Sequence, residues 1–147
     1  MAVKLVNICP VFLTDDIIKT TDYYIKKLGF KYAKHFDKID NFATVYRDSV
    51  EIIIVQKRKG QIESNREKYG NGYDAYIDTD TLDGVKELFN EYKQNGVRII
   101  REPFMTDYGS LEFVFEDIDG RNIGVGLIAN NETYFKDSNY LQNMSLR

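Results

Sequence analysis

The sequence predicts an α+β fold built from two consecutive βαβββ modules. One observation is an internal repeat: residues 10–55 read as a strand, a helix and three short strands, and residues 74–127 read the same way. Another is that each predicted helix stops at a glycine, Gly29 in the first copy and Gly96 in the second. Glycine takes the left-handed conformation of a helix end without strain. Because a repeat of this size constrains the whole architecture, it decides the fold class.

The first module begins with a strand over residues 6–13 that contains Pro10. Proline donates no ladder hydrogen bond, so we expect a bulged strand or one at a sheet edge. Thr14-Asp15-Asp16 then predicts the start of a helix. Residues at helical spacing predict its buried side: Ile17, Thr21, Tyr24, Ile25 and Leu28. Three strands follow, over residues 30–36, 42–46 and 50–56.

The second module begins with a predicted strand over residues 74–78 and a helix over 81–95. The apolar side of that helix is Leu82, Val85, Leu88, Phe89 and Tyr92. Strands are predicted over residues 97–102, 110–116 and 122–127. In the middle one, Leu111, Phe113 and Phe115 alternate with Glu112, Val114 and Glu116. One face of this strand is therefore expected to be buried.

Polar segments flank the second module. Residues 57–72 carry five basic side chains, and we interpret them as a solvated linker rather than an anion-binding flap. Residues 130–147 form a tail whose aromatic side chains either dock on a partner or on the cleft, or fray. We predict a single domain over residues 1–129, with modules at 5–56 and 73–128, followed by this tail.

Composition and charge exclude several classes of function. The 147 residues are 43% apolar, which suffices for a sizeable core, and the net charge of −3 argues against nucleic acid as a partner. No run approaches the roughly 20 apolar residues of a membrane helix, and the N-terminal residues show no secretory signal pattern. The single cysteine, Cys9, fits a reducing compartment. We therefore expect a cytoplasmic protein with neither nucleic acid nor a membrane as partner.

No familiar catalytic arrangement can be assigned from the sequence. His35 is the only histidine, and no Gly-x-Ser-x-Gly or phosphate-binding glycine loop is present. Cys9 lies beside Pro10 without a basic neighbour in sequence, which is typical of an unreactive thiol. The catalytic residues are therefore unknown.

Four short segments carry a resemblance to a known family. They are Leu13-Thr14-Asp15-Asp16, Tyr23-Tyr24 before Lys27-Leu28-Gly29-Phe30, Tyr108-Gly109 before a strand, and Phe115-Glu116-Asp117-Ile118-Asp119-Gly120-Arg121-Asn122. Over residues 5–128 the chain resembles the glyoxalase/bleomycin-resistance/extradiol-dioxygenase superfamily, the vicinal oxygen chelate proteins. The last segment is similar to the family's Asp-Pro-Asp-Gly-Asn turn, with Ile118 in place of proline. The resemblance implies that each module curls its strands into half of a cleft.

The resemblance also implies four positions at which family enzymes hold a divalent metal with His, Gln or Glu. They fall on Cys9, near Glu51, near Asp74 and on Gly124. This mixed set suits neither zinc nor magnesium, and only Glu51 and Asp74 are metal candidates. We expect no metal and no cofactor.

The resemblance and the glycines together suggest a ligand cleft. Gly124 and Gly126 point to the same face of one strand, which predicts either free space for a ligand or a bulge or close packing. The 11 tyrosines and 9 phenylalanines would suit a flat organic ligand. The expected cleft residues are Cys9, Glu51, Asp74, Phe113, Gly124 and Gly126.

The expected function is metal-independent binding of a small aromatic or cationic organic molecule, with Glu51 and Asp74 offsetting positive charge. This resembles the bleomycin-resistance branch, which gives antibiotic resistance by sequestering a drug. The alternatives are a glyoxalase-type lyase, isomerase or dioxygenase with a degenerate metal site, and a structural or regulatory dimer without a ligand. Because half-barrels expose sheet edges, we also expect a homodimer.

Overall fold

The structure is a computed structural model that describes residues 2–33 and 40–128. The first module contains β1 (Val11–Thr14), α1 (Ile17–Lys26), β2 (Lys31–Ala33), β3 (Phe42–Arg47) and β4 (Val50–Gln56). A short helix, α2 (Asn65–Tyr69), follows. The second module contains β5 (Ala75–Asp78), α3 (Leu82–Gln94), β6 (Arg98–Met105), β7 (Ser110–Glu116) and β8 (Asn122–Ile128).

The strands form two four-stranded mixed sheets with matching topology. Their orders are β1-β4-β3-β2 and β5-β8-β7-β6. In each sheet the first strand runs parallel to the last strand of its module, and the other pairs are antiparallel. The predicted fold class, α+β with two βαβββ modules, is confirmed.

Local signals explain where the two long helices begin and end. Asp16 caps α1 by accepting from the Lys19 amide at 3.1 Å, and Thr81 caps α3 by accepting from the Gly84 amide at 3.0 Å. The predicted stops are left-handed, with φ of 77° at Gly29 and 78° at Gly96. Of the described helices, none is long and apolar enough to cross a membrane.

Some elements differ from the predicted boundaries. β6 extends to Met105 rather than ending at residue 102, and β1 starts only at Val11, where the chain first has an N–H to donate after Pro10. The segment predicted as a linker contains α2, which Ser64 caps and which ends at Gly70 with φ of 89°. The second predicted strand is described only to Ala33, so the remainder of it, including His35, lies outside the described residues, as does the tail over 130–147.

Both modules contribute to one hydrophobic core. Its largest fully buried apolar side chains are Tyr24 and Leu28 from the first module and Tyr92, Phe113 and Phe115 from the second. The predicted helix faces are largely correct. Ile25 and Leu82 are the exceptions, at 37% and 36% exposed, because they lie at the margins of the two faces.

A polar network crosses from the β7–β8 turn to the first module. The Asp117 carboxylate accepts from the Tyr24 hydroxyl at 2.6 Å and pairs with the Arg121 guanidinium at 2.9 Å. Arg121 also donates to the Leu13 carbonyl and pairs with Asp119 at 3.1 Å. The side chains of Arg121 and Asp117 are 6% and 0% exposed. Each buried charge therefore has a partner, which it needs to offset its desolvation.

A second connection lies at the other end of the two helices. Arg47 forms a two-pronged ion pair with Glu91, at 2.6 and 3.0 Å, and also donates to the Leu28 carbonyl. The Tyr92 hydroxyl donates to the same carbonyl at 2.9 Å. These contacts fix one module against the other at both ends of the shared core.

Replacing the buried arginine should weaken the whole fold. We expect Arg121→Met to lower the free energy of unfolding by about 3–5 kcal/mol, because it leaves Asp117 buried without its counter-ion. The control Lys26→Met removes an exposed pair with Asp22 and should cost at most about 0.5 kcal/mol. Urea denaturation measures both. A loss below about 1 kcal/mol for Arg121→Met would show that the network does not hold the modules together.

Candidate functional site

A buried carboxylate lies on the side of the second sheet that faces away from the helices. Phe113 and Phe115 of β7 belong to the core, so the side chain of the alternating residue Glu112 lies on the opposite face. We call this the outer face. Glu112 is nevertheless only 1% exposed. A carboxylate removed from water requires strong compensation, and its surroundings supply it.

Four hydroxyl groups surround Glu112. Its Oε2 accepts from Tyr76 at 2.7 Å, from Tyr108 at 3.0 Å and from Ser110 at 3.1 Å, and its Oε1 accepts from Tyr73 at 3.4 Å. We call these five residues the tyrosine–carboxylate cluster. A carboxylate offers about four acceptor sites. Oε1, with one long contact, therefore retains acceptor capacity.

The register of three neighbouring strands brings the cluster together. Tyr76 of β5 is opposite Gly124 of β8, and Glu112 of β7 is opposite Gly126 of β8. β8, which carries both glycines, thus lies between β5, which supplies Tyr76, and β7, which supplies Glu112. Tyr73 lies just before β5, and Tyr108 lies in the turn between β6 and β7.

The tyrosine rings occupy the space that side chains at the two glycines would take. A Cβ on Gly124 would lie 2.9 Å from the Tyr73 ring and 3.0 Å from the Tyr76 ring. A Cβ on Gly126 would lie 2.8 Å from Glu112 Cγ and 2.7 Å from the Leu111 carbonyl oxygen, and it would collide with the Tyr76 hydroxyl. At these glycines the structure shows close packing, the alternative to free space, because the tyrosine rings extend across β8 to the carboxylate.

The environment keeps the tyrosines protonated. Burial raises the pKa of Tyr76, and its hydrogen bond with Glu112 adds to the rise. Burial also raises the pKa of Tyr73 and of Tyr108, again with a contribution from Glu112. The phenols therefore donate hydrogen bonds to Glu112 at neutral pH.

Neutral hydroxyl groups, rather than a cation, compensate the Glu112 carboxylate for its loss of water. The ion pairs formed within residues 2–33 and 40–128 do not include it. Arg101 on β6 lowers the pKa of Tyr73, but its guanidinium lies 3.5 Å from the centre of the Phe104 ring. The cluster is thus a negative charge surrounded by aromatic rings.

The outer face of the first sheet is apolar. Val11 and Leu13 of β1 are 53% and 46% exposed, and they are paired with half-buried Ile53 and Val55 of β4. Glu51, also on β4, is half-buried and opposite Tyr46. Large apolar side chains on an open face indicate a surface that binds a partner or a ligand.

The predicted metal positions do not come together as a ligand set. Half-buried Cys9 precedes β1. Both carboxylate oxygens of Asp74 accept backbone amides, from Asn65 and from Asn122, each at 2.8 Å. Tyrosine rings cover Gly124. Within the described residues, no three His, Cys, Asp or Glu side chains form a group that could hold a metal ion, so these positions do not fit the family's metal.

Phe113 also differs from the expectation that it lines the cleft. It is 0% exposed and makes edge-to-face contacts with Phe89 and Tyr92. Its ring therefore packs between the sheet and α3, because the alternation of β7 turns Phe113 inward and Glu112 outward.

Two grooves lie away from the cluster. The larger, of about 610 Å³, runs between the β3–β4 turn and the start of α3, and its lining includes Asp48, Asp78, Asp80 and Glu87. The other, of about 340 Å³, lies beside β1 and includes Asp74 and Arg121. In the smaller groove, Asp74 and Arg121 already have protein partners. We take the cluster as the candidate site because its carboxylate is buried and is held by hydroxyl groups rather than by a cation.

Comparisons with known proteins agree with this architecture. A family model described as the Glyoxalase/Bleomycin resistance protein/Dioxygenase superfamily matches residues 8–125. Comparison with curated proteins gave no match.

Solved structures share the fold at low sequence identity. The hypothetical protein SA1046 from S. aureus is 19% identical over 84% of this chain and 97% of its own, with a TM-score of 0.58. A glyoxalase/bleomycin resistance protein/dioxygenase from Nocardioides is 14% identical over 85% of both chains, with a TM-score of 0.62. TioX from Micromonospora sp. ML1 is 13% identical over 82% of this chain and 94% of its own, with a TM-score of 0.61.

Adding a methyl group at either glycine should disturb the cluster, but to different extents. We expect Gly126→Ala to lower the free energy of unfolding by about 1–3 kcal/mol, because the Leu111 carbonyl cannot move aside. Gly124→Ala should cost less, since it meets only the edges of two rings that can shift. Urea denaturation compares the pair, and the reverse order would contradict this packing.

The ionisation of the cluster tyrosines at alkaline pH should depend on Glu112. We expect Glu112→Gln to lower the pH at which part of the tyrosine population ionises, because it removes one cause of the raised pKa values. Absorbance titration of tyrosinate measures this, with Glu102→Gln, an exposed carboxylate on β6, as the control. An unchanged titration of Glu112→Gln would contradict the cluster.

The same pKa shifts have a consequence for stability. Raised folded-state pKa values mean that the folded protein holds these protons more tightly than the unfolded chain. Their contribution is present below the ordinary tyrosine pKa of 10.0 and is lost as pH rises through the folded values. Urea denaturation of the wild type should therefore show falling stability above pH 10, and the fall should be smaller in Glu112→Gln.

Proposed function

Because this chain belongs to the Glyoxalase/Bleomycin resistance protein/Dioxygenase superfamily, we propose that it binds a small aromatic or cationic organic molecule without a metal ion. The ligand lies on the outer face of the second sheet, over the tyrosine–carboxylate cluster. The observation that carries the proposal is Glu112, a carboxylate that is 1% exposed and is held by tyrosine hydroxyls rather than by a cation.

The chemistry of the cluster favours binding over turnover. Its phenols have raised pKa values, so they act as donors and aromatic surfaces rather than as bases at neutral pH. The carboxylate is engaged by four hydroxyls. Preformed polar groups beside aromatic surfaces are typical of sites that hold a small molecule. Sequestration of a ligand is the function that these properties support, and we propose the cytoplasm as its location.

The proposal extends to a homodimer. In the N-terminal segment Val3, Leu5, Val6 and Ile8 are between 88% and 94% exposed, and they precede the exposed Val11 and Leu13 of β1 along the chain. Exposed apolar side chains such as these gain stability when a second protein surface covers them. A second copy would cover this surface, and a twofold arrangement would allow each copy to do the same for the other.

A ligand screen tests the binding function. We expect at least one aromatic or cationic organic compound to raise the melting temperature of the wild type, because a ligand of the folded state stabilises it. Tyr108→Ala should abolish the rise, and Tyr69→Ala, which removes another exposed tyrosine on α2, should leave it intact. A ligand whose effect survives Tyr108→Ala binds elsewhere.

Metal analysis distinguishes binding from the enzyme alternative. Purified protein should contain no stoichiometric divalent ion. About one tightly bound ion per chain, lost in Glu51→Ala, would instead support a glyoxalase-type enzyme with Lewis-acid chemistry.

Light scattering tests the dimer. We expect twice the chain mass at micromolar concentration, and a shift to the monomer in Ile8→Asp, because a charge in a buried apolar interface is costly. Ile18→Asp, at a 56% exposed position on α1, is the control and should remain dimeric. A monomeric wild type would contradict the proposal.

A further inference from the structure

The charge around the cluster is unevenly distributed. At the Tyr73 end, Arg66 and Arg101 lower the pKa of that tyrosine. At the Tyr76 end, Asp78 acts with Glu112 to raise the phenol pKa. For Tyr108 too, Glu112 raises the pKa. We call the side that holds Tyr76 and Tyr108 the negative end, because the carboxylates of Asp78 and Glu112 act on its phenols.

The same end is also the accessible one. Tyr76 is 38% and Tyr108 is 56% exposed, although the carboxylate that they cover is 1% exposed. A ligand therefore meets two exposed tyrosine rings whose hydroxyls donate to the buried carboxylate. Rings attract cations through their electron-rich faces, and a carboxylate in a poorly hydrated environment strengthens that attraction.

The chain shows the same attraction with one of its own cations. The Arg101 guanidinium lies 3.5 Å from the centre of the Phe104 ring, and Phe104 is opposite Glu112 in the β6–β7 register. A cation thus already lies on an aromatic ring of this sheet. The rings of Tyr76 and Tyr108 offer a comparable surface on which no cation of the described residues is found.

From these observations we propose that the Tyr76–Tyr108 end of the cluster recognises an organic ammonium group. The ammonium lies against the two rings, and Glu112, to which their hydroxyls donate, supplies the opposite charge. This rests on the proposed function and narrows the ligand class from aromatic or cationic molecules to molecules that carry a substituted amine.

Two probes that differ only in charge test the proposal. Choline and dimethylbutanol have the same shape, and a quaternary carbon replaces the ammonium nitrogen in the second. Binding is followed by NMR titration of the wild-type protein with labelled tyrosine rings, in which Tyr76→Phe and Tyr108→Phe assign the two signals. We expect choline to bind at least about tenfold more tightly than dimethylbutanol, with shifts at both rings.

Variants identify which residues cause the preference for choline over dimethylbutanol. Glu112→Gln keeps an acceptor and removes the charge, so it should reduce choline affinity about tenfold and leave dimethylbutanol unchanged. Glu102→Gln removes a charge of the same sign from an exposed position of the same sheet and should change neither. If Glu112→Gln does not fold, Tyr108→Leu provides the same test, because it removes an exposed ring and should abolish the preference.

The outcomes separate this proposal from the function on which it rests. Equal affinities for the two probes, or a choline preference that survives both Glu112→Gln and Tyr108→Leu, would overturn the ammonium proposal. If a neutral aromatic compound nevertheless raises the melting temperature through Tyr108, the binding function stands without it. If no compound binds at the cluster, both proposals fail.

Discussion

A buried arginine between two aspartates holds the two modules in one body. Arg121 lies in the turn before the last strand, pairs with Asp117 and Asp119, and reaches across to the Leu13 carbonyl. The Tyr24 hydroxyl completes the same network from α1. Because buried charges are costly without partners, the turn can adopt this form only with the first module in place. This constraint, together with the Arg47–Glu91 pair and the shared core, sets the relative position of the two sheets.

Within the described residues, each sheet has one face that the helices do not cover, and on the second sheet tyrosine side chains cover part of it. The helices and the shared core cover the inner faces, so the outer faces carry the chemistry. The first is apolar at Val11 and Leu13, and the second contains Glu112 with its tyrosines. A carboxylate that folding buries at a cost, in a position where an apolar residue would pack more easily, suggests a role beyond stability.

The sequence predicts the topology well and the site only in part. The repeat and its two glycine stops indicate both βαβββ modules, because each strand, helix start and helix stop depends on residues close together in the sequence. The alternation of β7 likewise separates Phe113 from Glu112. The burial of Glu112 could not be predicted, since its donors Tyr73, Tyr76 and Tyr108 reach it from separate segments. The glycines of β8 indicate that some group approaches the strand closely, but the local sequence does not indicate that this group is a pair of tyrosine rings.

The central claim is that a small molecule binds at the tyrosine–carboxylate cluster, and a structure of the complex tests it most directly. Crystals of the protein grown with the compound that most raises its melting temperature would locate that compound. The proposed site predicts contact with the rings of Tyr76 and Tyr108 on the outer face of the second sheet. A compound found instead in the groove beside Asp78 and Asp80, or coordinated to a metal ion at Glu51, would contradict it.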